Sequence, residues 1–247
     1  MIVAIVYLLA ITLAEVVTIL YMPVWGIVCH LVILVAVLLH SALGFAGKYY
    51  YRQLVLSLAL VPLVRIISLS MPLVNIPQLW WYPIIYAPLL AAAFAAVRIL
   101  GYRAEDVGLN FRMFPVQLAV ALTGLLFGIA EYLILMPQPL IAELTWQKIW
   151  LPAVILLVST GFVEEFIFRG VLQRTAVEAF RWWGIVYVSL LFAVLHIGFL
   201  SWLDVIFVFA VALFFGWVVK KTGSLFGVTL AHGITNIMLF LIVPFFF

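Results

Sequence analysis

The sequence has little charge and almost no cysteine. Only 9% of its 247 residues are charged, whereas 69% are hydrophobic. So few charges exclude an ordinary water-soluble globular protein. The single cysteine, Cys29, excludes an internal disulfide framework. The formal net charge of +3 does not indicate a nucleic-acid partner, because the basic residues are scattered singly between apolar runs.

Long apolar runs without two-residue alternation fill most of the chain. Because lipid cannot satisfy backbone polar groups, apolar runs of about 20 residues predict membrane-spanning helices rather than barrel strands. The first run has no preceding basic residues and no small-residue cleavage site, so we expect it to be retained as a span. The sequence predicts an all-α polytopic transmembrane helix bundle of about 8–9 spans, at 2–20, 24–46, 53–70, 81–98, 115–136, 149–173, 183–200, 203–219 and 223–244.

The distribution of basic residues predicts the orientation of these spans. Nine of the twelve Lys and Arg residues fall in even-numbered connections: Lys48, Arg52, Arg98, Arg103, Arg112, Arg174, Arg181, Lys220 and Lys221. Lys148 is the exception in an odd-numbered connection. Because cytoplasmic connections carry the excess of positive charge, nine spans predict a cytoplasmic N terminus and an external C terminus.

A group of polar residues interrupts the apolar C-terminal segments. Ionisable groups at membrane depth are costly unless they pair or face a wet cavity, so they indicate a functional interior. The group consists of Glu164, Glu165, Arg169, His196, His232 and Asn236.

Two adjacent carboxylates in this group have different environments on a helix. Glu165 and Arg169 are four residues apart in the order that favours an ion pair, whereas Glu164 points about 100° away. Burial disfavours a charged carboxylate and so makes it a stronger base. The unpaired Glu164 is therefore the candidate general base for activating water.

The remaining members of the group lie on two other predicted spans. His232 and Asn236 share one helical face, and their depth from the cytoplasmic helix ends is compatible with that of Glu164 and His196. We expect these side chains to line one cavity inside the C-terminal group of helices. An Asn amide and a His N–H can stabilise an oxyanion.

Other polar residues in the spans receive structural interpretations. Thr160 is expected to pack between helices, and Tyr82 to anchor the chain at a membrane interface. Glu131 faces the cavity or pairs with Arg65.

The motifs Glu-Glu-x-x-x-Arg at 164–169, Phe-x-x-x-His at 192–196 and His-x-x-x-Asn at 232–236 occur in this order on successive segments. In these motifs, over about 149–244, the sequence resembles the CPBP family of intramembrane proteases, the type II CAAX prenyl endopeptidases and related bacteriocin-processing and immunity proteins. The resemblance implies that residues 115–247 form a catalytic transmembrane core, preceded by N-terminal spans and a cytoplasmic connection at 1–114.

The resemblance also implies roles for the polar group. Glu164 and His196 would activate water, His232 and Asn236 would stabilise the oxyanion, and Glu165 with Arg169 would support the geometry of the site. The expected partners are the lipid bilayer and a membrane-anchored protein or peptide substrate, with a prenylated CAAX C terminus as the implied class. For a prokaryotic host, the expected location is the plasma membrane.

Two alternatives stay open at this point. Glu164, His196 and His232 could instead be zinc ligands, although the chain has no His-Glu-x-x-His motif and Asn236 is a poor zinc ligand. We favour the mechanism without a cofactor. Alternatively, the buried Glu and His residues could serve a non-proteolytic transporter, or an immunity protein that binds a peptide.

Overall fold

The computed structural model describes residues 1–43 and 49–247, with the side chain of residue 49 excluded. Its secondary structure is helical over the described residues. Lys48, one of the basic residues that predict the orientation, lies outside the described residues, as does the predicted end of the second span at residue 46.

The N-terminal half supplies four of the predicted spans. Pro23 begins the second helix at a position where its missing N–H costs nothing. The third predicted span consists of two helices that follow each other closely and together run over Tyr50–Ser70. The helices are α1 (Ile2–Leu20), α2 (Pro23–Ala42), α3 (Tyr49–Leu58), α4 (Leu60–Ser70) and α5 (Trp81–Leu100).

The C-terminal half contains one unusually long helix. It runs continuously over Trp146–Phe180 and changes from α to π geometry at Leu157–Glu164 and Phe166–Leu172. The last helix likewise continues into a π segment at Met238–Ile242. The α-helical parts of this half are α6 (Phe114–Leu135), α7 (Trp146–Leu156), α8 (Gln173–Phe180), α9 (Trp183–Val194), α10 (Trp202–Thr222) and α11 (Phe226–Ile237).

The helices confirm the predicted fold class. Among the described residues, eight helices are long and apolar enough to cross a membrane, and a ninth apolar helix, Trp183–Phe199, is shorter. The protein is therefore an integral membrane protein with an all-α architecture. The nine predicted spans correspond to these nine helices.

The two charges that interrupt the first and third spans pair with each other. Arg65 donates from Nε and Nη2 to the two carboxylate oxygens of Glu15, both at 2.7 Å. His30 of α2 also approaches this carboxylate, with Nε2 3.0 Å from Glu15 Oε1. Because the buried charge of Glu15 is compensated, α1, α2 and α4 can pack together around it.

The long helix and α11 approach each other very closely. A Cβ atom on Gly161 would lie 2.8 Å from Thr229 O and 2.9 Å from Gly233 N, so only glycine fits there. Close approach through small residues is typical of helix packing in membranes. This contact brings the segment that carries Glu164 next to the helix that carries His232.

The polar connection between α5 and α6 packs against the turn between α10 and α11. Leu225 N donates to Gly108 O at 2.9 Å, and Asn110 Nδ2 donates to Gly223 O at 2.7 Å. Gly108 adopts a left-handed conformation with φ of 78°. These hydrogen bonds hold the start of α11 in position relative to α6.

Candidate active site

A cavity of about 330 Å³ lies among α4, α5, α6, the long helix, α10 and α11. Its size is at the lower end of the range typical of ligand sites. All six residues of the predicted polar group line it: Glu164, Glu165, Arg169, His196, His232 and Asn236. The structure therefore brings together side chains that are spread over more than seventy positions of sequence.

Glu164 faces the cavity, and one of its two carboxylate oxygens accepts a hydrogen bond. Tyr86 of α5 donates its hydroxyl hydrogen to Glu164 Oε1. The other oxygen, Oε2, lies 3.8 Å from His232 Nε2, beyond hydrogen-bond distance. The Glu164 side chain is 17% exposed. This carboxylate is therefore accessible from the cavity, and among the described residues its Oε2 has no hydrogen-bond partner and can accept a proton.

Glu165 is fully buried and holds two partners through a single oxygen. Oε1 accepts hydrogen bonds from Arg169 Nη1 at 2.9 Å and from His232 Nδ1 at 2.8 Å. A carboxylate paired with arginine only accepts, so Nδ1 of His232 carries a hydrogen. The ring is thereby oriented with Nε2 toward Glu164 and the cavity. The ion pair between Glu165 and Arg169 agrees with the spacing argument.

The Arg169 guanidinium is buried among aromatic rings. Its central carbon lies 4.5 Å from the ring centre of Phe192 and 5.8 Å from that of Phe215. Ring faces stabilise a cation, and the carboxylate of Glu165 compensates its charge. Phe192 also packs edge-on against the ring of His232, so the same aromatic side chain contacts both groups that Glu165 holds.

His196 lies in the turn beyond α9, which ends at Val194. Its Nδ1 is 2.9 Å from the carbonyl oxygen of Phe192. A carbonyl oxygen only accepts, so Nδ1 carries the hydrogen of the neutral ring and Nε2 keeps a lone pair. His196 can therefore accept a hydrogen bond from a water molecule in the cavity.

Asn236 is oriented by a hydroxyl group of the long helix. Its Nδ2 donates to Thr160 Oγ1 at 2.7 Å, while this hydroxyl donates to Leu156 O at 2.6 Å. The hydroxyl therefore acts as an acceptor toward Asn236, which fixes the amide with its nitrogen toward Thr160. One amide hydrogen of Asn236 remains for another acceptor. Thr160, predicted only to pack between helices, has this additional contact.

The comparison with protein families agrees with the motifs. The family described as type II CAAX prenyl endopeptidase Rce1-like matches residues 145–238. Residues 145–238 are a CPBP-family domain. Comparisons with curated proteins and with solved structures gave no match. A domain of this family implies an intramembrane protease with a protein substrate.

Several residues that line the cavity lie outside the CPBP domain, and among them Tyr86 and Arg65 were not predicted as site residues. Tyr86 binds Glu164 from α5, and Arg65 reaches the cavity from α4. Tyr82, predicted as an interfacial anchor, also lines the cavity, one helical turn before Tyr86. Glu131 faces the cavity and Arg65 pairs with Glu15, which decides between the two interpretations of Glu131. The four-residue spacing of Tyr82 and Tyr86 places both on one helical face, which is the sequence signal that could have identified them.

The zinc alternative requires Glu164, His196 and His232 to be placed around one ion. Among residues 1–43 and 49–247, no group of three or more His, Cys, Asp or Glu side chains is placed to hold a metal ion. We therefore derive no chemical step through a metal.

Proposed function

We propose that the protein is an intramembrane endopeptidase that hydrolyses a peptide bond with a water molecule activated by Glu164 and His196. The observation that carries this proposal is the difference between the two adjacent carboxylates. Glu165 is buried and paired, whereas Glu164 faces the cavity with Oε2 free of a protein hydrogen bond. A base with this exposure can take a proton from water.

In the proposed reaction, Glu164 Oε2 accepts a proton from water while the water oxygen attacks the carbonyl carbon of the substrate. His196 Nε2 accepts the other hydrogen of the water as a hydrogen bond and so orients it. Glu164 then returns the proton to the leaving amine nitrogen as the carbon–nitrogen bond breaks. The products are an amine and a carboxylic acid, which then releases its proton to solvent, with no covalent enzyme intermediate.

The proposed oxyanion site consists of His232 and Asn236. The free amide hydrogen of Asn236 and, in the imidazolium form, Nε2–H of His232 can donate to the oxygen that becomes negative. Losing one such donor typically lowers the rate by about 10²–10³. Glu165 stabilises the imidazolium through Nδ1, while Thr160 fixes the amide. Glu165, Arg169 and Thr160 are thus positioning residues.

We further propose that 115–247 is the catalytic transmembrane core and that 1–114 completes the cavity wall. A membrane-anchored substrate would enter from the lipid, and a prenylated CAAX C terminus is the class that the family points to. The proposed orientation, with the N terminus in the cytoplasm, would suit a prokaryotic plasma membrane.

Mass spectrometry of cleavage products tests the proposal. Purified protein in lipid is incubated with a farnesylated CAAX peptide or its unprenylated twin. We expect wild type to release the last three residues of the prenylated peptide, and Glu164→Gln to release none. The matched control is Glu105→Gln, because Glu105 has a 73% exposed side chain in the connection after α5. Cleavage that persists in Glu164→Gln would contradict the proposed base. Absence of cleavage in wild type would contradict this substrate class.

A further inference from the structure

We propose that Arg65 binds a carboxylate group of the peptide substrate, an inference that rests on the proposed protease function. Arg65 belongs to α4, outside the CPBP domain, and lines the same cavity as Glu164 and His196. Its guanidinium also reaches the turn that carries His196, since Nη2 lies 4.0 Å from where a Cβ atom on Gly198 would be. A positive group therefore borders the proposed reaction site.

Glu15 orients this guanidinium without using all its donors. The fully buried carboxylate of Glu15 receives Nε–H and one Nη2–H of Arg65, each over 2.7 Å. Arginine has five N–H groups, so three remain. Within the described part of the chain no protein group accepts a hydrogen bond from these three. The Arg65 side chain is 18% exposed and lines the cavity.

The remaining charges in the cavity wall favour Arg65 as the anion site. The other arginine of the cavity wall, Arg169, lies between Glu165 and two aromatic rings with a side chain only 2% exposed, so less of it is open to the cavity than of Arg65. Glu131 and Glu164 are acidic and would repel a carboxylate. A negatively charged group on a bound peptide would therefore approach Arg65, whose planar fork matches carboxylate geometry.

The anion has two possible sources in a peptide: the C-terminal carboxylate and an acidic side chain. Both have the same chemistry, so three farnesylated peptides separate them. The first has a free C terminus, the second a C-terminal amide, and the third an amide together with a glutamate at the last position. A purely structural role for Arg65, as a partner of Glu15, predicts no discrimination among them.

The test measures the ratio of kcat/KM for the free-acid peptide to that for the amide. Both peptides are assayed with the same preparation, so any loss of folded protein cancels in the ratio. We expect wild type to prefer the acid by roughly 10- to 100-fold, the range of a charge-assisted hydrogen bond. Arg65→Gln should reduce the ratio to about one, and Arg65→Lys should give an intermediate value. Restored cleavage of the third peptide would assign the site to acidic side chains.

The matched control is Arg174→Gln, because Arg174 is exposed, pairs with Glu178 and does not line the cavity. It should keep the wild-type ratio. An unchanged ratio in Arg65→Gln, or no preference in wild type, would overturn the proposal. If no peptide is cleaved, binding of the fluorescently labelled peptides to Glu164→Gln decides instead, and equal affinity for acid and amide overturns it. Cleavage that survives Glu164→Gln contradicts the proposed base but leaves the ratio measurable.

Discussion

Glu165→Gln tests two roles of Glu165: stabilising the fold through its ion pair with Arg169, and orienting His232 for catalysis. In the native protein, one oxygen of Glu165 accepts from both Arg169 and His232, at 2.9 and 2.8 Å. The substitution keeps the shape of the side chain but removes its negative charge. Arg169 then remains a buried cation that has lost its bonded carboxylate. Its other close contacts are the rings of Phe192 and Phe215, and Glu164 attracts it only from a distance.

The expected loss of stability follows from this uncompensated charge. Removing one partner of a buried ion pair costs about 3–5 kcal/mol. For a protein of this size, about 1 kcal/mol corresponds to a change in Tm of roughly 2–4 °C. We therefore expect Tm to fall by roughly 6–20 °C. The nine tryptophans allow unfolding to be followed by fluorescence in detergent.

A second substitution should restore the stability but not the activity. Methionine at position 169 removes the buried cation and can still fill the space between Phe192 and Phe215. Replacing both members of a buried pair by uncharged groups is often neutral. In Glu165→Gln/Arg169→Met, however, the imidazolium form of His232 still lacks its carboxylate. We expect kcat to remain roughly 100-fold below wild type, the loss typical of one oxyanion donor.

The assay compares Tm and kcat for wild type, Glu165→Gln, Arg169→Met and the double variant on the cleavable peptide. The reasoning would be refuted if the double variant were no more stable than Glu165→Gln. It would also be refuted if the double variant regained wild-type kcat, because Glu165 would then act only through Arg169.

Two further substitutions test contacts that hold the proposed catalytic groups. Tyr86→Phe removes the hydroxyl that donates to Glu164, and we expect kcat to fall about 10-fold with little change in Tm; an unchanged kcat would show that this contact is dispensable. Thr160→Val removes the acceptor of the Asn236 amide, and kcat should again fall about 10-fold. Thr123→Val is the control, since this hydroxyl lies on α6 outside the cavity lining; an equal effect of both valines would contradict the assignment.

The sequence predicts the helices well because membrane spans leave a local signal. The length and apolarity of each run depend on neighbouring residues only, and the fifth span, predicted at 115–136, is observed as Phe114–Leu135. The seventh span, predicted at 183–200, stops being α-helical at Val194, followed by a turn and a short 3₁₀ helix over Ile197–Phe199. Apart from His196, this stretch is apolar or glycine, so mean hydropathy gives no sign of the break.

The long helix illustrates a second limit of sequence reasoning. The sequence predicts one α-helical span at 149–173, whereas the helix extends over Trp146–Phe180 and contains two π segments. A buried helix is apolar on all sides, so its sequence carries no periodicity that distinguishes α from π geometry. π segments occur frequently at functional sites, and here they carry Glu164 and Arg169.

Some contacts in and around the candidate site can be predicted from the sequence, whereas others cannot. The pair of Glu165 and Arg169 is separated by four residues on one helix, which makes it predictable from spacing. Tyr86 and Glu164 are 78 residues apart, and Glu15 and Arg65 are 50 apart. Such partners meet only because separate helices pack together, and a single sequence does not predict which helices pack together.

These long-range contacts also bear on which part of the chain forms the proposed enzyme. The CPBP domain at 145–238 contains Glu164, His196, His232 and Asn236, so the proposed base and oxyanion donors belong to it. The hydroxyl that holds Glu164 and the guanidinium that faces the cavity both come from residues before 114. A base needs a fixed orientation as well as the right chemistry, and a substrate needs an anchor. The proposed boundary at 114 therefore separates two segments of the chain that would act as one catalytic unit.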